Sequence, residues 1–392
     1  MSDDTRGFSQ FHKKNSPFPA LLRIQGCDPN RIRKCLEDSR IRDGVCETTS
    51  PRSTRYCYEP VTDSRSIRLL SLDPGTNNKL TCCLSFASLS EPPSYEALSH
   101  VWSDVSGKSY IQYEGKSLSI PKSLSVALYR LRDATTPRVS WADAICINQH
   151  NIPERNQQVS MMGTVYSSAS RVIAWLGDDG GNAKMAFDFI RRLQHKWPYN
   201  YNEGVPQLDP DHPVFLDLVL WKALQKFASN AYFERGWVQQ EIGLAKYAII
   251  YWRAFEISWD SICRISHNFL VHYGPFPVHK FGLYLGALHS TFTFYLTNGR
   301  RELVANRRYI LDQTPHEKDF WNILYNSKDL RYSDRHDVVC AFLGHPSACF
   351  GENKAPIVLI DYTKSLNQVY TELAVRGLVD LKNSSTLSFV SH

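Results

Sequence analysis

The chain has 392 residues, of which 43% are hydrophobic, and this is enough apolar material for one large domain with additions or for two modest domains. Its 45 lysine and arginine residues are interspersed with 39 aspartate and glutamate residues, and the net charge of +6 argues against a nucleic-acid-binding surface. The N-terminus lacks the apolar core of a signal peptide, and no stretch approaches the roughly 20 apolar residues of a membrane span. We therefore expect a soluble cytoplasmic protein.

Ten cysteines occur without a C-x-x-C pair, so we expect reduced thiols and neither a disulfide framework nor a metal site. Cys146 lies between two isoleucines. A thiol buried on such a strand is unreactive, because the apolar surroundings disfavour the thiolate.

Residues 1–60 are polar and show little periodicity, which predicts a variable, flexible extension. From residue 66 the pattern changes. The sequences SIRLLSLDPG and KLTCCLSF predict two strands, and YEALSHV at 95–101 predicts a third. A hairpin is predicted over 110–120, and apolar spacing predicts an amphipathic helix over 121–133.

The run 139–147 is apolar apart from Asp143 and predicts a strand that is covered on both faces. Polar residues follow, and Asn151 with Glu154 fits a helix start in which each side chain accepts from a backbone N–H. A helix over 153–169 and a strand over 171–176 come next. The alternation predicts a parallel sheet with helices on both sides.

The second half of the chain begins with a further helix at 182–193 and a polar loop at 197–212. Beyond about residue 260 the sequence pattern is mostly that of helices. We therefore assign residues 61–260 to an α/β core and residues 261–392 to a mostly helical C-terminal extension that packs on that core.

Several motifs carry a resemblance to a known family. They are YEALSHVW, WADAICINQ followed by ERNQQV, YFERGWVQQEIGLA, SDRHDVVCAFLG and DYTKS. In this order they resemble the fungal heterokaryon-incompatibility (HET) domain over roughly residues 66–385. The chain departs from the usual pattern at His100, Ser103 and His336, where the family favours Tyr, Gly and Arg. It also has Trp252 and Arg253 where a glycine usually follows the strand.

The resemblance implies a flavodoxin-like or Toll/interleukin-receptor-like (TIR-like) fold, with a doubly wound, mainly parallel sheet and added helices. Some TIR enzymes cleave NAD with a glutamate four residues after a tryptophan, and Trp237 and Glu241 have this spacing. Glu241 is thus the candidate catalytic residue, with NAD as substrate and no cofactor. The alternative is that Glu241 forms a structural ion pair with Arg235 or Lys246.

Ligands of doubly wound sheets bind at the carboxyl ends of the strands. The candidate substrate-binding residues at this edge are Ser99, Trp102, Asp143, Asn148, Gln149, Glu154, Arg155, Arg235 and Trp237. The alternative is structural, since the polar residues of 143–155 could simply cap a helix and tie down a loop.

The family resemblance implies a self/non-self recognition effector that triggers growth arrest or cell death, with NAD cleavage as its chemistry. The alternative is a non-enzymatic signalling module that oligomerises. The implied partners are an incompatibility protein or an upstream receptor, and a second copy of the chain.

Overall fold

The computed structural model describes residues 56–101, 107–196, 213, 217–271, 320–350 and 355–380. Trp102, the 197–212 loop and nearly all of the predicted N-terminal extension lie outside these residues. In the part of the chain that is described, no helix is both long and apolar enough to cross a membrane.

Strands predominate in the first half of the described chain. In order they are β1 (Ser66–Leu72), β2 (Cys82–Ser88), β3 (Glu96–His100), β4 (Lys108–Tyr113), β5 (Lys116–Pro121), α1 (Lys122–Leu131), β6 (Arg138–Trp141), α2 (Asp143–Cys146), α3 (Ile152–Ser160), α4 (Met162–Ser168) and β7 (Arg171–Trp175).

Helices predominate in the second half. In order the elements are α5 (Ala183–Lys196), α6 (Leu218–Ala228), a 3-10 helix (Ala231–Glu234), α7 (Gly236–Gly243), β8 (Ala248–Trp252), β9 (Phe255–Ser258), α8 (Trp259–Val271), α9 (Phe320–Asn326), α10 (Asp337–Cys340), a 3-10 helix (Pro346–Ala348), β10 (Cys349–Phe350), β11 (Ala355–Pro356) and α11 (Leu366–Val375), which a π-helical turn (Arg376–Asp380) follows.

Seven strands form one mixed sheet in the order β2-β1-β6-β3-β7-β8-β9. The four central strands, β6, β3, β7 and β8, are parallel, and antiparallel strands complete both edges. Numbered along the chain, the parallel strands lie in the order 2-1-3-4, which is the order of the first four strands of flavodoxin-like sheets. The predicted doubly wound α/β fold, with strands near 95–101, 139–147 and 171–176 in parallel, is confirmed.

The central strands are covered on both faces. In β3 the residues from Ala97 to His100 are all buried, and in β7 those from Val172 to Trp175 are buried. Because successive side chains of a strand point to opposite faces, an unbroken buried run requires packing on both sides of the sheet. The apolar faces predicted for α1 and α5 are buried.

Two predicted elements have different limits in the structure. The strand predicted over 139–147 ends at Trp141, because Asp143 starts the short helix α2, in which Cys146 donates its backbone N–H to Ala142 O at 2.7 Å. The predicted 153–169 helix is two helices, α3 and α4, which are separated at Met161. The prediction that each of Asn151 and Glu154 caps this helix is half right: Asn151 Oδ1 accepts from Glu154 N at 3.2 Å, whereas Glu154 Oε1 accepts from Asn148 N.

Arg253, where the sequence departs from a usual glycine, has the left-handed φ of 53°. Its backbone N–H donates to Gly177 O at 3.0 Å, and its guanidinium lies 3.5 Å from the Asp179 carboxylate. A side chain in this conformation is disfavoured relative to glycine. The contacts with the end of β7 are what hold Arg253 there.

The C-terminal elements have an apolar cluster of their own, which includes Trp321, Leu324, Phe342 and Leu373. The partly buried Trp237 of α7 packs against both this cluster and the core around the sheet. Backbone bonds join the same regions, since Gly236 N donates to Arg331 O at 3.2 Å and Arg331 N donates to Glu234 O at 2.6 Å. Helix α7 therefore lies between the two cores.

Gly236 is required by the close approach of Tyr332. A Cβ at position 236 would lie 1.9 Å from Tyr332 Cε1, which is far inside van der Waals contact. We predict that Gly236→Ala lowers the free energy of unfolding by about 1–3 kcal/mol, as overpacking does in other cores. Urea unfolding measures this change.

Tyr332→Ala is the matched background for this substitution. It removes the ring that the new methyl group would strike, so Gly236→Ala should cost much less in Tyr332→Ala than in the natural sequence. Equal costs in the two backgrounds would contradict the steric explanation.

Candidate functional site

The carboxyl end of β3 lies at the position where doubly wound sheets bind ligands. The chain moves from β3 to β6 on one side and then to β7 on the other side of β3. The direction of the strand order therefore reverses between β3 and β7, and this reversal creates a crevice outside their carboxyl ends. Ser99 and His100 are the last two residues of β3.

Helix α7 brings the second group of polar residues to this edge. Asn230 caps the preceding 3-10 helix by accepting from Tyr232 N at 2.9 Å, and Arg235 follows as the first residue before α7. Helix α7 contacts β3, β7 and α4, and all its residues except Trp237 are buried. An amphipathic surface helix would have a polar face toward water, so α7 is a core helix.

Glu241, on the last turn of α7, is only 1% exposed. The Ser99 hydroxyl donates to Glu241 Oε2 and lies 2.5 Å from the Tyr232 hydroxyl. Arg235 Nη2 lies 3.7 Å from Glu241 Oε1. The Ser99 hydroxyl has one proton, which it donates to the carboxylate, so its oxygen accepts the hydrogen bond from the Tyr232 hydroxyl. Both oxygens of Glu241 therefore have a partner, Ser99 for Oε2 and Arg235 for Oε1.

Burial raises the pKa of Glu241, and the Arg235 guanidinium and the Ser99 hydroxyl oppose that rise. Burial likewise raises the pKa of Tyr232 and keeps it neutral. Burial lowers the pKa of Arg235, but the Glu241 and Asp143 carboxylates more than offset this, and Arg235 remains a cation. The site thus pairs one permanent cation with a carboxyl group that is easier to protonate than usual.

His100 extends the same group of residues. Its carbonyl accepts from Arg235 Nη1 at 2.7 Å, and its Nδ1 lies 3.9 Å from Asp143 Oδ1. Burial, and then the nearby Arg235, lower the pKa of His100 to about 3. The imidazole is therefore neutral at physiological pH. We call Ser99, His100, Asp143, Tyr232, Arg235 and Glu241 the Glu241 cluster.

The loop after α2 is organised mainly by its own hydrogen bonds. Gln149 Nε2 donates to Asp143 O at 3.0 Å, and Asn148 Oδ1 accepts from His150 N at 3.2 Å. Through Asp143, this loop adjoins the Glu241 cluster. The contacts made by Asn148 and Gln149 are the local side-chain-to-backbone bonds of a polar turn.

Glu154 belongs to a different buried pair. Arg68 in the middle of β1 binds it through its two terminal guanidinium nitrogens, Nη1 and Nη2, at 2.5 Å and 3.1 Å, and the side chains are 2% and 5% exposed. Arg68 also donates to Cys146 O at 3.1 Å and to Glu59 O, and Glu154 accepts from Asn148 N at 2.8 Å. The pair joins β1 to the start of α3.

Arg155 and Trp237 lie with C-terminal residues. The Arg155 guanidinium lies 4.2 Å from the centre of the Tyr362 ring. The Tyr362 hydroxyl donates to Asp337 Oδ1 at 2.6 Å, and Trp237 forms a second hydrogen bond to this carboxylate. The described candidate residues thus fall into separate groups of contacts, Trp102 lies outside the described residues, and Ser99, Asp143, Arg235 and Glu241 are the ones brought together.

His100, Tyr232 and Arg68 were not among the site residues predicted from the sequence, although the last two left a signal there. Tyr232 belongs to the same motif as Arg235 and Glu241, three residues before the arginine. Arg68 interrupts an apolar strand, and a buried charge requires an ionic partner. Neither signal identifies the partner residue, which lies far away in the chain.

Cys146 is fully buried, and burial raises the pKa of its thiol to about 12. The predicted burial is thus present, although Cys146 lies at the end of helix α2 and not on a strand, and we expect its thiol to be unreactive. Among the described residues, no group of three or more His, Cys, Asp or Glu side chains is arranged to hold a metal ion.

A structural role for Glu154 can be tested by removing its charge. Glu154→Ala leaves the Arg68 guanidinium buried without its carboxylate, and we expect a loss of about 3–5 kcal/mol in the free energy of unfolding. Asp188→Ala, which breaks exposed pairs with Lys184 and Arg191, is the control and should cost less than about 1 kcal/mol. Similar losses in the two variants would show that the Arg68–Glu154 pair is not a structural anchor.

The lowered pKa of His100 predicts acid sensitivity. The unfolded chain takes up a proton on this residue below about pH 6.5, whereas the folded chain does so only near pH 3. Stability should therefore fall as pH drops through this window. His100→Asn removes the titration, so its loss of stability between pH 7 and pH 4 should be smaller than that of the natural protein by about 2–3 kcal/mol.

Urea unfolding at the two pH values measures this difference, and the exposed His150→Asn is the control. His345, whose pKa burial lowers to about 4, contributes with the same sign in every variant and cancels in the comparison. An unchanged pH dependence in His100→Asn would refute the assignment.

Comparison with known proteins supports the resemblance seen in the sequence. Residues 95–241 match the family described as heterokaryon incompatibility protein (HET). The heterokaryon incompatibility protein 6, OR allele, of Neurospora crassa is 39% identical over 145 residues. The aligned region is 33% of this chain and 21% of that relative, so the match spans about a fifth of the relative's length.

No solved structure is significantly similar to this chain. The family match begins at Tyr95, immediately before β3, and ends at Glu241. It therefore includes every member of the Glu241 cluster. Residues 95–241 are thus the region of this chain that is similar to the HET family.

Proposed function

We propose that this chain is a self/non-self recognition effector of heterokaryon incompatibility that triggers growth arrest or cell death in the cytoplasm. Its similarity to a protein with heterokaryon incompatibility in its name supports the proposal. The trigger is an incompatibility partner protein or an upstream receptor, and self-association transmits the signal.

One observation connects this proposal with chemistry. Three separate segments of the matched region converge in the Glu241 cluster: the end of β3, the start of α2, and the segment from Tyr232 to Glu241. They meet at the edge of the sheet where doubly wound folds bind nucleotides. A carboxyl group with a raised pKa beside a fixed cation is a common feature of functional sites.

The enzymatic form of the proposal is NAD cleavage with Glu241 as the catalytic residue and no cofactor. Water replaces nicotinamide at C1′ of the adjoining ribose, nicotinamide leaves with the electrons of the glycosidic bond, and one proton is released. An ionised Glu241 would stabilise the positive charge that develops on the ribose.

A second candidate is a non-enzymatic module that oligomerises. The arrangement of Glu241 favours it, because the side chain is 1% exposed and protein groups engage both of its oxygens. A substrate must displace one of these groups before it can contact the carboxylate. In the non-enzymatic module, the Glu241 cluster serves to fix β3 and α7.

Glu241→Gln separates the two candidates. The substitution preserves shape and most hydrogen bonds but removes the charge. If Glu241 is catalytic, the natural protein consumes NAD, and the variant loses NAD consumption and toxicity while it remains folded. The assays are NAD loss with purified protein, toxicity on expression, and thermal unfolding.

The matched control is Glu91→Gln, at an exposed position. Toxicity that persists in Glu241→Gln, with NAD intact in the natural protein, would reject catalysis and support the oligomerising module. A large fall in melting temperature that is specific to Glu241→Gln would show that Glu241 is a structural ion-pair partner. Absence of toxicity from the natural protein on triggering would reject the effector role itself.

A further inference from the structure

A short turn, Asp361–Lys364, leads into the last described α-helix. Asp361 Oδ1 accepts from the Thr363 backbone N–H at 2.9 Å and from its hydroxyl at 2.6 Å, and Lys364 N donates to Asp361 O at 3.2 Å. Helix α11 starts directly afterwards with a capping box between Ser365 and Gln368. The turn is thus stabilised by its own hydrogen bonds. Other contacts attach it to the rest of the fold.

Helix α3 makes the first attachment. Asn156 donates to Asp361 Oδ1 at 3.3 Å and accepts from Tyr362 N at 3.2 Å. Arg155, the preceding residue, lies over the Tyr362 ring. Two adjacent residues of the ERNQQV motif therefore bind a turn more than 200 residues away in the chain.

Helix α10 and the residues before it make the second attachment. Tyr362 donates to the buried carboxylate of Asp337 at 2.6 Å. His336 Nε2 lies 2.9 Å from the carbonyl oxygen of Lys364, and His336 Nδ1 lies 2.6 Å from Asp334 Oδ1. The imidazole therefore bridges the turn and the Asp334 carboxylate.

Both atoms that face the imidazole are acceptors. A backbone carbonyl has no proton to donate, and an ionised carboxylate has none either. A neutral imidazole carries one N–H and can satisfy only one of these two oxygens, whereas the imidazolium donates to both. The geometry is therefore that of the charged form.

We propose that the Asp361–Lys364 turn is a latch that doubly protonated His336 holds closed, and that the latch loosens when the imidazole loses a proton. This inference does not depend on the proposed function. It concerns how firmly the segment that includes α11 is attached to the rest of the fold.

The charges around His336 come from three directions. Asp334 and Asp337, on its own segment, both favour the proton on the imidazole. Burial raises the pKa of Asp334, but the bonds from His336, with the charge of Arg155 of α3, lower this pKa overall. Burial raises the pKa of Asp337, and the bonds from Tyr362 and Trp237 and the charge of Arg155 partly oppose this rise. From the side of the turn, the Lys364 ammonium is bound by Glu372 of α11 at 2.6 Å.

The direction of the pH dependence follows from these contacts. Burial lowers the pKa of His336, but the bonds to Asp334 and to the Lys364 carbonyl, with the Asp337 charge, raise it above its usual value of 6.5 overall. A raised pKa in the folded state means that the stabilisation is fully present below about pH 6.5. It is lost as pH rises through the folded-state pKa.

Opening of the latch would also change the contacts of α7, the helix that carries Glu241. Tyr362 and Trp237 share the Asp337 carboxylate, and Trp237 lies one turn before Glu241 on α7. Loss of the Tyr362 hydrogen bond leaves Trp237 as the donor to a buried carboxylate. The contacts of α7 with the C-terminal core therefore change when the turn leaves.

Hydrogen exchange of the full chain tests the latch. Protection of peptides covering residues 357–375, corrected for the intrinsic exchange rate, should fall about tenfold between pH 6.0 and pH 8.5, the size expected for loss of one charge-assisted hydrogen bond. Peptides of the central sheet should show no such change and serve as the internal reference.

Three variants make the test specific. His336→Gln cannot carry the charge and should show low protection at both pH values, whereas His336→Arg carries a permanent charge and should remove the pH dependence. Asp334→Asn keeps the imidazole but weakens its hold on the proton, so its transition should move to lower pH. His150→Gln should behave like the natural protein.

Equal protection at pH 6.0 and pH 8.5 in the natural protein would overturn the proposal. A fall in His336→Arg as large as that in the natural protein would also overturn it. If His336→Gln does not fold, Asp334→Asn alone decides. The pH at which its protection falls is then compared with the pH at which its imidazole titrates, measured by NMR. A protection transition at the same pH as in the natural protein would reject the latch.

Discussion

The burial of Glu241 on a helix that lies between two cores constrains much of this structure. Moving a carboxylate out of water costs several kcal/mol, which only well-placed partners can offset. Ser99 and Arg235 come from different segments, and Tyr232 supports Ser99. The end of β3, the 3-10 helix and α7 are consequently fixed relative to one another, and an unpaired charge would result if any of them moved.

Next to Glu241 on α7, Gln240 contacts the turn after α10 at a place where two glycines approach each other closely. Gln240 Oε1 accepts from Gly344 N at 2.9 Å, and a Cβ on Gly344 would lie 2.4 Å from this oxygen. A Cβ on Gly163 of α4 would lie 3.0 Å from the Gly344 backbone. A methyl group at either position would thus crowd the place where α4, α7 and the turn after α10 meet, and a Cβ on Gly344 would also displace the amide of Gln240.

The sequence predicted the parallel strands well because their signal is local. A continuous apolar run indicates a strand buried on both faces, and β3 and β7 follow this pattern closely.

The site was harder to predict because its partners are distant in the chain. Arg68 and Glu154 are 86 residues apart, and no periodicity indicates that they meet. Arg155 is adjacent to Glu154 in sequence, yet it packs on Tyr362. Adjacent charged residues on a helix face different neighbours, so their nearness in sequence did not imply a shared crevice.

The two roles considered for Glu241 place opposite demands on its surroundings. A structural carboxylate is most stable when every oxygen keeps its partner, whereas a catalytic one must exchange a partner for substrate. The partners here differ in how easily they can be exchanged. Separation of Arg235 from Glu241 would leave two charges unpaired within the fold, whereas displacement of Ser99 removes a neutral donor that a ribose hydroxyl can replace in kind. Ser99 also lies at the carboxyl end of β3, on the side of the crevice. Any ligand that reaches Glu241 would therefore do so through the position of the Ser99 hydroxyl, with Arg235 left in place to hold the charge.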